Sequence, residues 1–237
     1  MIEIEGGTHN SASPPYPFLA EVYAPLLARI GAKLDLELVR PGFYPAGGGV
    51  LRARTRPSTL GPLVLEERGA IRERRVRALL SRVPEHVARR ELEALVAALG
   101  WEDVDARPEH VHATGPGNVL VVTIVADHVT EVMTGFGERG VRAEEVAART
   151  AAEVRTWLDA GVPVGEHLAD QLILPMALGG GGSFRTVAPS LHLRTQIETV
   201  RLFTGREIRL EDAGGGAFRV EVAPGGSAPT SPSRTGA

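Results

Sequence analysis

The sequence of 237 residues contains no cysteine. That absence excludes a disulfide framework, a thiolate metal centre and a cysteine nucleophile together. Lysine is almost missing too: Lys33 is the only one, so 25 of the 26 basic residues are arginine. No G-x-x-x-x-G-K-[ST] phosphate loop can be written from such a chain. A lysine-adenylating ligase would have to use Lys33, which falls where a helix end gives way to a strand, a poor place for a nucleophile. No apolar run approaches 18 residues, which excludes a transmembrane helix. The N-terminus, Met1-Ile2-Glu3-Ile4-Glu5, alternates apolar and acidic residues and lacks the basic start and apolar stretch of a signal peptide. These absences together point to a cytoplasmic protein.

What is present is globular in character. Apolar residues make up 43% and charged residues 23%, with a formal net charge of −3. That suits one large domain or two small ones around a core of normal size. The arginine bias has two readings, codon usage or the better match of a planar guanidinium to phosphate and RNA. From Pro224 the chain reads PGGSAPTSPSRTGA, without a periodic apolar face, and is expected to be disordered over 224–237. A second change of composition falls at Pro57-Ser58-Thr59-Leu60-Gly61-Pro62.

Periodicity predicts a mixed α/β, or α+β, chain. Ile2 and Ile4 read as a strand, and Phe18, Val22, Leu26, Leu27 and Ile30 recur at helical spacing up to a stop at Gly31. Strands follow at Leu34–Leu38 and Val50–Thr55. The middle of the chain reads strand (70–80), helix (85–99), short strand (103–107), two strands (118–125 and 129–136) and a helix from Ala143 to about Leu158. The run at 118–125 is apolar enough for burial on both faces. The last part reads helix (165–178), strand (183–188), helix (195–203) and strands at 206–211 and 217–222.

The candidates for chemistry are few. His110 and His112 could face one way as metal ligands, but no recognisable ligand set accompanies them, which favours a surface loop. His9, His86 and His128 lie in polar surroundings and are expected to face solvent. His167 opens the stretch His167-Leu168-Ala169-Asp170-Gln171 near a helix start. There Asp170 either serves helix electrostatics or, with Gln171, forms a donor–acceptor pair suited to a purine or ribose. His192 sits just before the predicted helix at 195. It is either a capping or core histidine, or an exposed nucleophile with helix amides and Arg194 nearby to stabilise phosphate charge. The glycine runs at 47–49 and 179–182 suit tight turns and phosphate approach equally.

Several longer motifs carry a resemblance. Gly6-Gly7-Thr8-His9-Asn10 with Ser13-Pro14-Pro15, Gly42-Phe43-Tyr44-Pro45-Ala46-Gly47-Gly48-Gly49, Glu67-Arg68-Gly69, Gly115-Pro116-Gly117-Asn118, Gly137-Glu138-Arg139-Gly140-Val141, Leu168-Ala169-Asp170-Gln171-Leu172 and Ser190-Leu191-His192 occur in this order. In that order and spacing the chain, from about residue 2 to 222, resembles the RNA 3′-terminal phosphate cyclase family. The resemblance implies repeated units of two helices on a four-stranded sheet, with a cyclase core of 1–66 and 160–223 and a small inserted α/β domain at 67–159. It implies a ligase-type enzyme in which His192 attacks the α-phosphate of ATP to give a covalent histidine–AMP. AMP then passes to an RNA 3′-phosphate end, and the 2′-hydroxyl closes a 2′,3′-cyclic phosphate. His167, Leu168, Ala169, Asp170 and Gln171 correspond to the adenosine-contacting segment, with His167 at a position often aromatic. ATP and a divalent cation, Mg or Mn, are the implied cofactors, with no metal residue assignable here.

The resemblance also places Met1 well inside the family's core. An E-G-G-G-Q segment with a metal-contacting glutamate, arginines for the RNA phosphate and a glutamine of the nucleotide site have no counterpart. The expectation is a misassigned start, a broken gene or a fragment, with weak activity. A non-catalytic RNA-binding or ribosome-assembly homologue, or an inactive remnant, is the alternative.

Overall fold

The computed structural model describes residues 1–225; positions 226–237, most of the tail expected to be disordered, lie outside the described residues. The chain is a mixed α+β protein built on three sheets.

The first sheet comes from the alternating segments near the N-terminus. Strands β1 (Ile2–Gly6), β2 (Lys33–Arg40) and β3 (Gly49–Arg56) form an antiparallel sheet in the order β1-β3-β2. The helical segment between β1 and β2 is not uniform. A short α1 (Tyr16–Phe18) runs into a π-helical stretch, Leu19–Tyr23, and then into α2 (Ala24–Arg29). Its apolar stripe, Phe18, Val22, Leu26, Leu27 and Ile30, is buried as the spacing predicts.

The middle of the chain forms a second sheet in the order β6-β5-β7-β8, from β5 (Ile71–Ser81), β6 (Asp105–His110), β7 (Gly117–Ala126) and β8 (Thr130–Phe136). Helices α3 (Glu85–Leu99) and α4 (Ala143–Ala160) pack side by side on one face. The opposite face of the sheet meets the helical segment 16–29. There Glu21 accepts hydrogen bonds from Arg77 and, at 3.0 Å, from the Thr123 hydroxyl. Both faces of β7 are therefore covered, and Val119, Leu120, Val121, Val122 and Ile124 are fully buried.

The third sheet has the order β10-β11-β9-β4, from β4 (Leu63–Leu65), β9 (Gly182–Thr186), β10 (Ile208–Gly214) and β11 (Ala217–Val222). With α5 (Glu166–Leu178) and α6 (Leu191–Thr204) it makes a unit of two helices on four strands. β4 pairs with β9 in parallel, Leu63 opposite Gly182, so residues on either side of the middle unit meet in one sheet. The strand β4 was not expected from the sequence: three residues between Gly61-Pro62 and Glu66-Glu67 carry too little period to read. The glycine run before β9 has a packing role. Gly181 donates to Met176 O at 3.0 Å, Leu63 donates to Gly181 O at 3.0 Å, and a Cβ on Gly182 (φ +122°) would collide with the Leu63 carbonyl.

Candidate active site

Three segments converge on one cleft. The first is the loop after β1. Its backbone is tied to the glycine-rich loop after β2, with the Thr8 and His9 amides donating to Gly42 O at 2.9 and 3.0 Å and the Gly42 amide donating to Thr8 Oγ1 at 2.9 Å. The Ala12 amide donates to Asn10 Oδ1 at 2.9 Å, an Asx turn that leads the chain into Pro14 and Pro15. The second segment is the start of α5, with Gly165 as its N-cap, and the third is the start of α6. On α6 the Ser190 hydroxyl accepts from the Leu193 amide at 3.2 Å, so helix begins at Leu191 rather than near 195 and His192 lies in its first turn. Ser190 followed by a helix-compatible run is the sequence signal that marks this start.

A cavity of about 210 Å³ lies between these segments, walled by the 10–15 loop, Phe18, Val132, Thr134 and Phe136 on one side and His167, Asp170, Gln171 and His192 on the other. Gln171 Nε2 donates to Asp170 Oδ1 at 3.1 Å. The other carboxylate oxygen, Asp170 Oδ2, stands 4.0 Å from His192 Nδ1. The His192 side chain is 85% exposed while that of Asp170 is 15% exposed. The cavity thus presents proline and aromatic walls, a carboxylate–carboxamide pair, and an accessible imidazole at its rim. Such a set can hold a flat heterocycle, bind hydroxyl or amino groups, and make a bond to an electrophile.

A second cavity, of about 300 Å³, shares Val132 and His167 with the first and is lined also by Glu131, Glu153, Trp157 and Gly165. Glu131, on β8, is fully buried and accepts from the Gly165 amide at 2.8 Å. Burial pushes its carboxyl up to about 8, against the opposing effect of the Gly165 and Val132 amides. Burial also raises the Glu153 carboxyl, opposed by His167, whose Nε2 lies 3.6 Å from Glu153 Oε1. A smaller cleft beside the first cavity is lined by His9, Asn10, Ser11, Tyr44, Asn118 and Glu138. Behind it Asn118 Nδ2 donates to both oxygens of the buried Glu91, at 2.7 and 2.8 Å. Burial raises the Glu91 carboxyl to about 7, with the Asn118 hydrogen bond opposing.

The structure brings His167, Asp170, Gln171 and His192 together on one cavity. Leu168 and Ala169 are buried in the core and line neither cavity. His9 is a correction. Expected to face solvent, it is 2% exposed, its Nδ1 lies 2.8 Å from Thr8 Oγ1, and its ring centroid lies 5.2 Å from that of Phe43. Burial first, and the Arg77 charge second, lower its pKa to about 4, so it is neutral. The loop that looked polar folds back under the glycine-rich segment. His110 closes β6 in solvent, with Nε2 2.8 Å from Glu85, and no group of three His, Asp or Glu side chains among the described residues is placed to hold a metal ion. Residues overlooked by the sequence reading are Phe18, Thr134 and Phe136 in the cavity wall and the buried acids Glu131 and Glu153. An acid inside the apolar run 129–136 is the one signal that pointed to Glu131.

A sequence profile described as "RNA 3'-terminal phosphate cyclase" matches residues 1–210. A protein of that name from Pseudomonas aeruginosa (strain LESB58) is 45% identical over 222 residues, covering 93% of this chain and 65% of the relative. One from Ralstonia nicotianae is 47% identical over 224 residues, 93% of this chain and 64% of the relative. One from Koribacter versatilis is 44% identical over 204 residues, 85% and 58% respectively. The chain thus spans 58% to 65% of the length of these relatives.

Proposed function

The chain belongs to the RNA 3′-terminal phosphate cyclase family, and on that premise we propose that its cleft binds ATP and that His192 carries AMP to an RNA 3′-phosphate. In this reading the adenine lies between the Pro14–Pro15 wall and His167, and Asp170 and Gln171 hold the nucleoside by hydrogen bonds. A nucleoside anchored at Asp170 sets its α-phosphate toward the imidazole 4.0 Å away. An imidazole nitrogen attacks the α-phosphorus, the bond to pyrophosphate breaks, and pyrophosphate leaves as the P–N bond forms. An RNA 3′-phosphate oxygen then displaces the imidazole, taking AMP. The adjacent 2′-hydroxyl attacks the 3′-phosphorus, loses its proton and expels AMP, which closes the 2′,3′-cyclic phosphodiester. The first amides of α6 carry partial positive charge beside His192 and favour the developing phosphate charge.

A divalent cation is part of what the resemblance implies, but the described residues offer no ready ligand set for one, and no step above is routed through it. The reading includes a core of 1–66 and 160–223 with an inserted domain at 67–159. Parallel pairing of β4 with β9 across the middle unit supports that division.

The observation that carries the proposal is the exposed His192 imidazole on the same cavity as Asp170, Gln171 and His167. Incubation with [α-³²P]ATP and a divalent metal is expected to leave label on the wild-type protein in a denaturing gel and none on His192→Ala. As a phosphoramidate, the label should be lost in acid and survive alkali. Equal labelling of the two proteins overturns the assignment.

A further inference from the structure

The start of α5 is held from outside its own unit. Gly165, its N-cap, has no side chain with which to cap, and its own amide is given to Glu131 on β8 at 2.8 Å. A Cβ on Gly165 would press against the Glu131 carboxyl at 2.9 Å from Oε2, so this residue must be small for the acid to reach the backbone. Two residues on, His167 faces Glu153 of α4 at 3.6 Å. The imidazole forms a partition between the two cavities, with Glu131 and Glu153 on one side and the 10–15 loop, Asp170 and His192 on the other.

From this geometry we infer that Glu131 and Glu153 are positioning residues for nucleotide binding, holding the first turn of α5 and the His167 ring in register with the cavity from the far side. The inference rests on the reading of that cavity as the nucleoside pocket. Neither acid lines the cavity itself, so neither is a catalytic residue. Both come from the middle unit, which makes pocket shape depend on how β8 and α4 seat against α5. Glu131 is fully buried and favours its neutral form, which makes glutamine a close replacement: the same shape and an oxygen able to accept from Gly165. Glu153 is the contrasting case, where a carboxylate oxygen faces the His167 ring at 3.6 Å and glutamine replaces it with an amide.

Two measurements on the full chain test this. The first is amide hydrogen exchange over 165–172, which needs no ligand. Glu131→Ala is expected to speed exchange there about tenfold or more, as loss of one hydrogen bond to a helix cap implies, while Glu131→Gln exchanges like wild type. The second is ATP titration with single-turnover labelling of His192. Glu131→Ala is expected to weaken ATP binding about tenfold and Glu153→Gln by up to about fivefold, both leaving the labelling rate at saturating ATP unchanged, with Glu131→Gln again like wild type. Unchanged exchange in Glu131→Ala, or a Glu131→Gln variant as impaired as Glu131→Ala, overturns the inference. Should wild type itself fail to bind ATP, the pocket reading fails, while the exchange data still decide whether Glu131 holds α5.

Discussion

The molecule contains two units of two helices on four strands, and their helices are polar in different directions. In the middle unit, α3 and α4 are polar along one side: Ala88, Leu92 and Leu95 of α3 and Val146, Thr150, Val154 and Trp157 of α4 are buried, while most of the arginines and glutamates face water, the buried Glu91 and partly buried Glu153 excepted. In the other unit α5 is apolar on nearly every side from Leu172 onward and keeps its polar residues, Glu166, His167, Asp170 and Gln171, at one end. A helix polar along a side sits on a surface; one polar only at its end is buried and delivers that end to a site. The difference teaches where to look for chemistry: at the ends of the most buried helix rather than along the charged faces.

Removing core from the side-polar unit should have the largest effect. Trp157 is 1% exposed and carries the Arg68 guanidinium 4.5 Å above its ring, so Trp157→Ala is expected to cost about 3–5 kcal/mol, read from urea unfolding. Next comes the contact between that unit and the helical segment 16–29. Glu21→Ala leaves Arg77, whose side chain is 18% exposed, with only Glu109 at 3.8 Å as a carboxylate partner. A loss of about 1–3 kcal/mol is expected, with Arg77→Met in the same background recovering part of it.

The buried acids should show in the pH dependence. Glu131 and Glu91 are raised to about 8 and about 7, so the folded chain keeps protons that the unfolded chain releases from near pH 4.5 upward. Their contribution therefore declines as pH rises through 4.5–8 and 4.5–7 respectively. His9, lowered to about 4, acts in the opposite sense between pH 4 and 6.5, where the unfolded chain binds the proton and stability rises with pH. Melting temperatures of Glu131→Gln are expected to fall less between pH 5 and 8 than those of wild type. The smallest change in stability belongs to the polar end of α5. Asp170→Ala and Gln171→Ala should move unfolding by under about 1 kcal/mol while weakening ATP binding about tenfold. A large loss of stability in either would erase the distinction between the two helices.

Much of this was legible in the sequence because it depends on period. The helix at 85–99 and the strand at 217–222 fall where their periodicity puts them, and β7 is buried on both faces as an unbroken Val/Leu/Ile run implies. What was illegible depends on partners distant in the chain. Nothing local tells that His9 will be covered by Phe43, or that Leu63–Leu65 will find an edge beside β9. The π-helical stretch at Leu19–Tyr23 is likewise invisible to a 3.6-residue pattern. Of the site, the residues at helix starts could be read from type and order. The wall from β8 and the acids behind His167 required the fold.

The junction of the middle unit has a kinetic consequence. β4 and β9 must pair although roughly a hundred residues of chain separate them, and a flexible loop of that size closes slowly, its entropic cost growing as about 1.5 RT ln n. Arg68, just past β4, donates to the Trp157 and Leu158 carbonyls at 3.3 and 3.5 Å, in the last turn of α4. Once the middle unit has folded, that clasp brings its entry and exit together, and the span left to close is only a few residues on each side. The connectivity thus favours an order of assembly in which the middle unit folds before the parallel β4–β9 pair closes over it.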